Sequence, residues 1–154
     1  AVTTTVGLAT TYVGLCVSNP AGSTVNVVLN RVGMAFLVAF PAAAALGLMV
    51  GYNSSTNVTH TAAVTPRSQF FGVGASPQAF VDSSATFPTA PFLNTVLGTG
   101  LTGAITTATQ IAPTIYELGG SIILPPGGYA ALYTSTASGA SAFFGSFMWE
   151  EVPV

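Results

Sequence analysis

Residues 10–18, TTYVGLCVS, alternate with the period of an extended strand, placing Val13, Leu15 and Val17 on one side and Tyr12, Gly14 and Cys16 on the other. A cluster of turn formers follows, SNPAGS, and then the apolar run TVNVVLNRVGMAFLVAF, residues 24–40. The two runs on either side of that turn predict an antiparallel hairpin. Further strands are predicted at LGLMVGY (46–52), FLNTVLG (92–98), TGAITTATQIA (102–112), TIYEL (114–118) and YAALYTSTA (129–137). In the closing stretch, SAFFGSFMWEEVPV, alternation puts Phe143, Phe147 and Trp149 on a shared face.

The segments between these strands are long. Residues 53–66, NSSTNVTHTAAVTP, read as a polar loop of a length that usually serves function or an interface. The next stretch, through residue 92, is dense in Pro, Gly and Phe and predicts irregular structure anchored by Phe70, Phe71, Phe80, Phe87 and Phe92. Turn signals recur at a spacing that suits a β-sandwich, and helix-forming runs of Glu, Lys, Gln and Leu are missing. The expected architecture is all-β: one antiparallel β-sandwich over residues 1–154, with a long loop region around 53–92.

One motif competes with that reading. Gly98, Gly100 and Gly103 stand in the order G-x-G-x-x-G, with Glu117 nineteen residues beyond the first. A dinucleotide turn needs a helix after its glycines, to present its N-terminus to the pyrophosphate. The residues that follow, LTGAITTATQIAP, are rich in β-branched Thr and Ile and stop at Pro113, which disfavours a helix. The glycines are therefore read as a turn or bulge between strands, and no cofactor is expected.

Charge narrows the function further. Half of the 154 residues are hydrophobic and 4% are charged, against roughly a quarter charged in ordinary soluble domains. Lysine is absent, and the charged residues are Arg31, Arg67, Asp82, Glu117, Glu150 and Glu151. Such a chain lacks the clustered cations that neutralise phosphates, so nucleic acid is excluded as a partner. A surface this poor in charge also lacks the usual protection against self-association, which points to life inside an assembly. Each arginine is expected either to meet a defined carboxylate, in this chain or on a partner, or to stand simply exposed.

Residues 32–51, VGMAFLVAFPAAAALGLMVG, carry no charge, but Pro41 interrupts them and Ala and Gly dilute them. Two core strands joined across FPAAA explain this stretch better than a membrane span, and no membrane partner is expected. The first residues, AVTTTVGLAT, show neither a basic start nor an apolar signal core and read as a mature end after loss of an initiator Met.

Candidates for chemistry are few. Cys16 is the single cysteine, which rules out an intrachain disulfide and a cysteine zinc cluster; it reads as a small buried side chain. His60 is the single histidine, and only folding could bring it to Asp82 or Cys16. Glu150 and Glu151 are adjacent and face opposite sides of a strand, so they form no acid–base pair unaided. No G-x-S-x-G elbow is present. Asn53 and Asn57 sit in glycosylation sequons, which matter only on a eukaryotic secretory route. No enzymatic activity and no metal are expected.

The stretches YVGLCVSNPAGSTVNVVLNRVGMAF, GGSIILPPGGYAALYTSTASG and FFGSFMWEEVPV resemble small virion proteins of tailed bacteriophages, typically capsid decoration (cement) proteins. The similarity covers both ends of the chain and leaves out residues 52–112. It implies a jelly-roll-like β-sandwich without enzymatic activity. Such a protein would sit on the capsid exterior, bind the major capsid protein, associate with itself as a homotrimer and stabilise the shell. Contacts with capsid or subunit are expected at Asn53, Asn57, His60, Arg67, Phe70, Phe71, Phe80 and Phe87. Tyr129, Phe147 and Trp149 are assigned to the core or to an inter-subunit contact. Two rival readings stay open: a receptor- or glycan-binding module of a tail or fibre, with Tyr52, Asn53 and Asn57 as its cluster, and a shell-forming jelly-roll subunit.

Overall fold

A computed structural model of the chain describes residues 4–36, 42–69, 74, 76–100, 114–138 and 143–154. Among them are nine strands: β1 (Thr11–Ser18), β2 (Val25–Phe36), β3 (Ala44–Tyr52), β4 (Thr59–Val64), β5 (Phe80–Thr86), β6 (Phe92–Gly100), β7 (Thr114–Leu124), β8 (Gly128–Thr134) and β9 (Phe143–Pro153). They form two antiparallel sheets, of order β4-β5-β1-β8-β3-β6 and β7-β2-β9, packed as a β-sandwich. No helix among the described residues is long and apolar enough to cross a membrane.

Pairing follows the sequence in a nested order. β1 pairs with β8, β2 with β7, β3 with β6 and β4 with β5. That is one long hairpin rolled up into two sheets, the arrangement of a jelly roll. Two features depart from a regular jelly roll, in which the innermost pair would continue the sheet of β2 and β7. The β4–β5 pair sits beside β1 through β5, and β9 lines the free side of β2 along its whole length.

The hairpin expected from residues 10–40 does not form: β1 and β2 lie in different sheets. The turn between them carries the chain across the sandwich, and Asn19 holds the crossing. Its side-chain Nδ2 donates to the carbonyls of Val25 (2.7 Å) and Leu124 (3.0 Å), tying β1 to the start of β2 and the end of β7.

Two irregularities set the registers of the smaller sheet. In β2, Val27 and Leu29 point inward, yet so do Val32 and Met34, so the alternation changes parity once. Asn30 is the extra residue, with Leu29 opposite Trp149 and Arg31 opposite Met148. β7 runs past the predicted end at residue 118, and within it Gly119 and Gly120 adopt φ of 56° and 77°. Such angles favour glycine, and they let the strand keep pairing with β2 on both sides of the irregularity.

The predicted loop region of 53–92 contains two strands. β4 escaped detection because THTAAV is polar, and it is an edge strand exposed along nearly its whole length, so no burial periodicity marks it. β5 has little apolar content, yet it buries Val81, Asp82 and Ala85. The predicted strand at 102–112 and the FPAAA junction at 40–44, apart from its described residues 42–44, lie outside the described residues.

The six-stranded sheet buries residues on both faces. Toward the smaller sheet it contributes Val17, Leu46, Leu48, Val81, Ala130 and Leu132, which meet Val27, Leu29, Val32, Met34 and Phe143. Phe147 and Trp149 pack against the same core, so the shared face expected for β9 is present. On the other face Tyr12, Cys16, Met49, Phe87 and Tyr129 form a second cluster with Val58. The alternation of β1 thus sends Leu15 and Val17 to one core and Tyr12 and Cys16 to the other.

Candidate functional site

The expected contact residues separate into three groups. Asn57, His60 and Phe80 gather at a corner where β4 and β5 meet the end of β1, around a cavity of about 210 Å³. Its wall is completed by Ser18, Asn19, Pro20, Val58 and Gly127. Arg67, Phe147 and Trp149 meet instead in a groove of about 440 Å³ between β9 and the segments 66–69 and 76–77. Asn53 serves structure: its Oδ1 accepts from the backbone N–H groups of Ser55 (3.0 Å) and Thr56 (2.8 Å), an Asx turn.

Phe87, expected at a contact surface, is 2% exposed. It is stacked between Tyr12 and Tyr129, with ring centroids 5.5 and 4.8 Å away. The second core needs a flat filler between two tyrosines, and Phe87 supplies it. Tyr129 is likewise fully buried, its hydroxyl bonded to the carbonyl of Thr89 at 2.6 Å. Phe70 and Phe71 lie outside the described residues.

His60 does meet Asp82. Its Nδ1 lies 2.7 Å from Asp82 Oδ2; the carboxylate is fully buried and the imidazole is 34% exposed. Phe80 lies against the same ring, centroids 4.5 Å apart. Asp82 faces Cys16 across the β1–β5 pair. Burial first, and the charge of Asp82 second, push the Cys16 thiol up to about 12. The thiol is held protonated, which removes it as a nucleophile at neutral pH. Ser18 lines the cavity beside His60, but the two make no hydrogen bond.

Asn19 is 2% exposed and nearly saturated with partners. Its N–H donates to Gly128, its carbonyl accepts from Gly127, and its Nδ2 donates twice. Only Oδ1 is without one, and Oδ1 of Asp82 is the other buried side-chain oxygen without a partner among the described residues. Across the cavity, Asn57 Oδ1 accepts from the N–H of Ala21 at 2.8 Å, fixing the amide and leaving its Nδ2 free to donate. Sequence gave no hint of Ser18 or Asn19, which read as part of a turn, because the cavity is assembled from distant segments.

The two arginines differ. Arg31 meets Glu117 of the neighbouring strand, with Nε 2.6 Å from Oε1. Arg67 is exposed and forms no ion pair among the described residues. Glu151, in the same groove, accepts from the N–H groups of Gln78 (3.0 Å) and Ala79 (2.9 Å), pinning the segment before β5 to β9.

Gly98 and Gly100 of the G-x-G-x-x-G run lie within β6, paired to Leu46 and Ala44, so the glycines do not open a helix there. Gly103 lies outside the described residues. Among the described residues no group of three or more His, Cys, Asp or Glu side chains is placed to hold a metal ion.

A further feature escaped the sequence reading. β6 and β7 are edge strands of opposite sheets, and residues of both line a groove of about 290 Å³ with Tyr52. Phe92, Val96, Ile115 and Ile123 on these strands are 60%, 63%, 61% and 56% exposed. Comparison with protein-family models, with curated proteins and with solved structures finds no match for this chain.

Proposed function

We propose that the chain is a non-enzymatic virion subunit that decorates the exterior of a phage capsid, binding the major capsid protein and itself as a homotrimer. The observation that carries this reading is the apolar side of the sandwich. There Tyr52, Phe92 and Ile123, on β3, β6 and β7, line one groove and stand more than half exposed, in a chain with 4% charged residues. Large apolar side chains on neighbouring edge strands, without a lysine to discourage pairing, are suited to burial against another protein. A closed ring of copies would cover one such side per subunit, and the remaining contacts would bridge shell subunits. The reading also agrees with the resemblance of both chain ends to decoration proteins.

Binding energy alone does the work in such a protein. Added to capsids that lack it, the purified chain is expected to bind saturably, to raise the temperature at which the shells release DNA, and to sediment in solution as a discrete trimer. A chain that neither binds those capsids nor protects them refutes the proposal. Replacing Phe92 and Ile123 together by Ser is expected to weaken shell binding or trimer formation by about tenfold or more while leaving the fold intact.

A further inference from the structure

We infer that residues 4–7 form an exchangeable arm, which leaves its own subunit and fills the matching slot of a second copy of this chain. The slot lies within the six-stranded sheet. β1 and β8 pair only where Cys16–Ser18 meet Tyr129–Ala131, and beyond that point they part. Residues 4–7 enter the gap from one end. Exchange of the arm rests on the self-association proposed above and is independent of capsid binding.

Hydrogen bonding identifies the occupant. The N–H of Thr5 donates to the Val13 carbonyl and that of Gly7 to the Thr134 carbonyl, at 3.0 and 2.9 Å. In return the N–H of Val13 donates to Thr5 Oγ1 at 3.0 Å. At the far end of the arm the N–H of Thr4 donates to Ser138 Oγ (2.9 Å), and the Thr4 carbonyl accepts from the N–H of Ser138 (3.2 Å). Thr4, Thr134 and Ser138 are all buried, and the Thr134 hydroxyl lies 3.1 Å from that of Thr4. An empty slot would strip partners from these groups, so it has to be filled. Side-chain size narrows the choice, because a Cβ at Gly7 would run into the Tyr133 ring. The slot thus fits the run Thr4-Thr5-Val6-Gly7, whichever copy supplies it.

The hinge decides between the two arrangements, since the bonds in the slot are the same in both. Leu8, directly after the arm, holds φ at 68°, a left-handed conformation that is unfavourable for a bulky side chain. Its N–H meets Met49 Sδ at 3.3 Å, a weak acceptor, and its side chain is 41% exposed. Turning Leu8 to an extended conformation relieves the strain and sends the arm outward; short strained hinges favour such exchange. Thr10 anchors the other end of the hinge, its carbonyl accepting from the N–H of Phe87 at 2.8 Å. From Gly7 to Thr10 an extended chain reaches about 10 Å, so the exchanging copies lie side by side. In a closed ring each copy gives its arm to the next.

The test is cross-linking. Chains carrying Thr4→Cys and chains carrying Ser138→Cys are unfolded, refolded together under reducing conditions and then oxidised; Cys16 is buried and takes no part. Disulfide-linked pairs with one chain of each kind are expected, identified by mass. A chain carrying both cysteines is expected to give covalent oligomers. The inference is overturned if mixed pairs are absent, or if the double variant closes its bond within single chains. Sedimentation of the unaltered chain separates the two claims: a trimer without mixed pairs refutes the arm alone, whereas a monomer at every concentration refutes self-association and the arm with it. Two hinge variants give a readout without new cysteines. Leu8→Gly, at ease with a positive φ, is expected to raise the dissociation constant of the oligomer about fivefold or more. Leu8→Pro, barred from that angle, is expected to lower it. An unchanged constant in both, or the opposite order, overturns the inference.

Discussion

The two faces of the six-stranded sheet bury their residues by different means. Toward β7-β2-β9 the contact is sheet on sheet, between aliphatic side chains such as Leu48, Leu132, Val27 and Leu29, all fully buried. The opposite face has no second sheet among the described residues. It is filled by Tyr12, Phe87 and Tyr129 stacked over strands in which glycine leaves room for them. The Tyr12 hydroxyl reaches the carbonyl of Leu132 at 2.5 Å, and residues 4–7 bond to Val13 and Thr134, where β1 and β8 part. Aliphatic packing is non-directional and tolerates reshaping, whereas the tyrosine face depends on hydroxyl partners and on the absence of Cβ atoms. One sheet thus carries both a forgiving core and a demanding one.

The largest effect should come from the aliphatic side. Leu132→Ala removes a fully buried side chain from the centre of the sandwich and is expected to cost about 2–5 kcal/mol by denaturant titration. Leu48→Met, which keeps the volume, should cost less than about 1.5 kcal/mol. If the two cost the same, the aliphatic face is as exacting as its counterpart and the distinction collapses.

On the tyrosine face a single added methyl group should suffice. Gly51 lies opposite Tyr129, and a Cβ there would run into the phenol ring. The ring cannot swing aside, because Phe87 stacks on it and its hydroxyl is bonded to Thr89. Gly51→Ala is expected to cost about 1–3 kcal/mol, measured in the same titration. A neutral Gly51→Ala would show that the stack yields.

The buried ionisable groups of this face distinguish it by pH. The Cys16 thiol, ordinarily ionising at 9.0, is pushed up to about 12, and burial raises the Tyr12 hydroxyl well above 10.0. Both hold their protons longer in the folded chain than in the unfolded one. The stability they contribute is therefore complete below pH 9 and falls as pH rises toward 12, at up to about 1.4 kcal/mol per unit for the thiol alone. Cys16→Ala should delay the decline until Tyr12 begins to titrate in the unfolded chain, above about pH 10. Identical pH profiles for the two proteins would remove Cys16 from the account.

The aliphatic face was largely legible in the sequence, and the tyrosine face only in part. Period-two alternation in β1 assigns Leu15 and Val17 to one side and Tyr12 and Cys16 to the other, and both sides are found. Alternation also puts Phe143, Phe147 and Trp149 together. What it could not supply was pairing partners: β1 and β2, contiguous across a good turn, lie in different sheets because Asn19 braces a crossing rather than a hairpin. Burial at an aromatic stack has no period either, so Phe87, in a Pro-rich stretch, read as a surface anchor. The same holds for the corner cavity, where His60 and Asp82 stand 22 residues apart and meet only through the β4–β5 pair.

The smallest of these effects isolates the hydroxyl from the ring. Tyr129→Phe keeps the aromatic stack and the fit over Gly51, and deletes the bonds to the Thr89 carbonyl at 2.6 Å and the Thr89 hydroxyl at 2.8 Å. Thr89 is exposed, so water can take over its side of the lost bonds, while the buried ring loses little apolar contact. The expected cost is therefore about 0.5–1.5 kcal/mol, the net worth of an ordinary hydrogen bond. A cost near that of Gly51→Ala would mean that the hydroxyl, rather than the stack, positions the ring. A cost of zero would leave the demanding character of this face to its glycines alone.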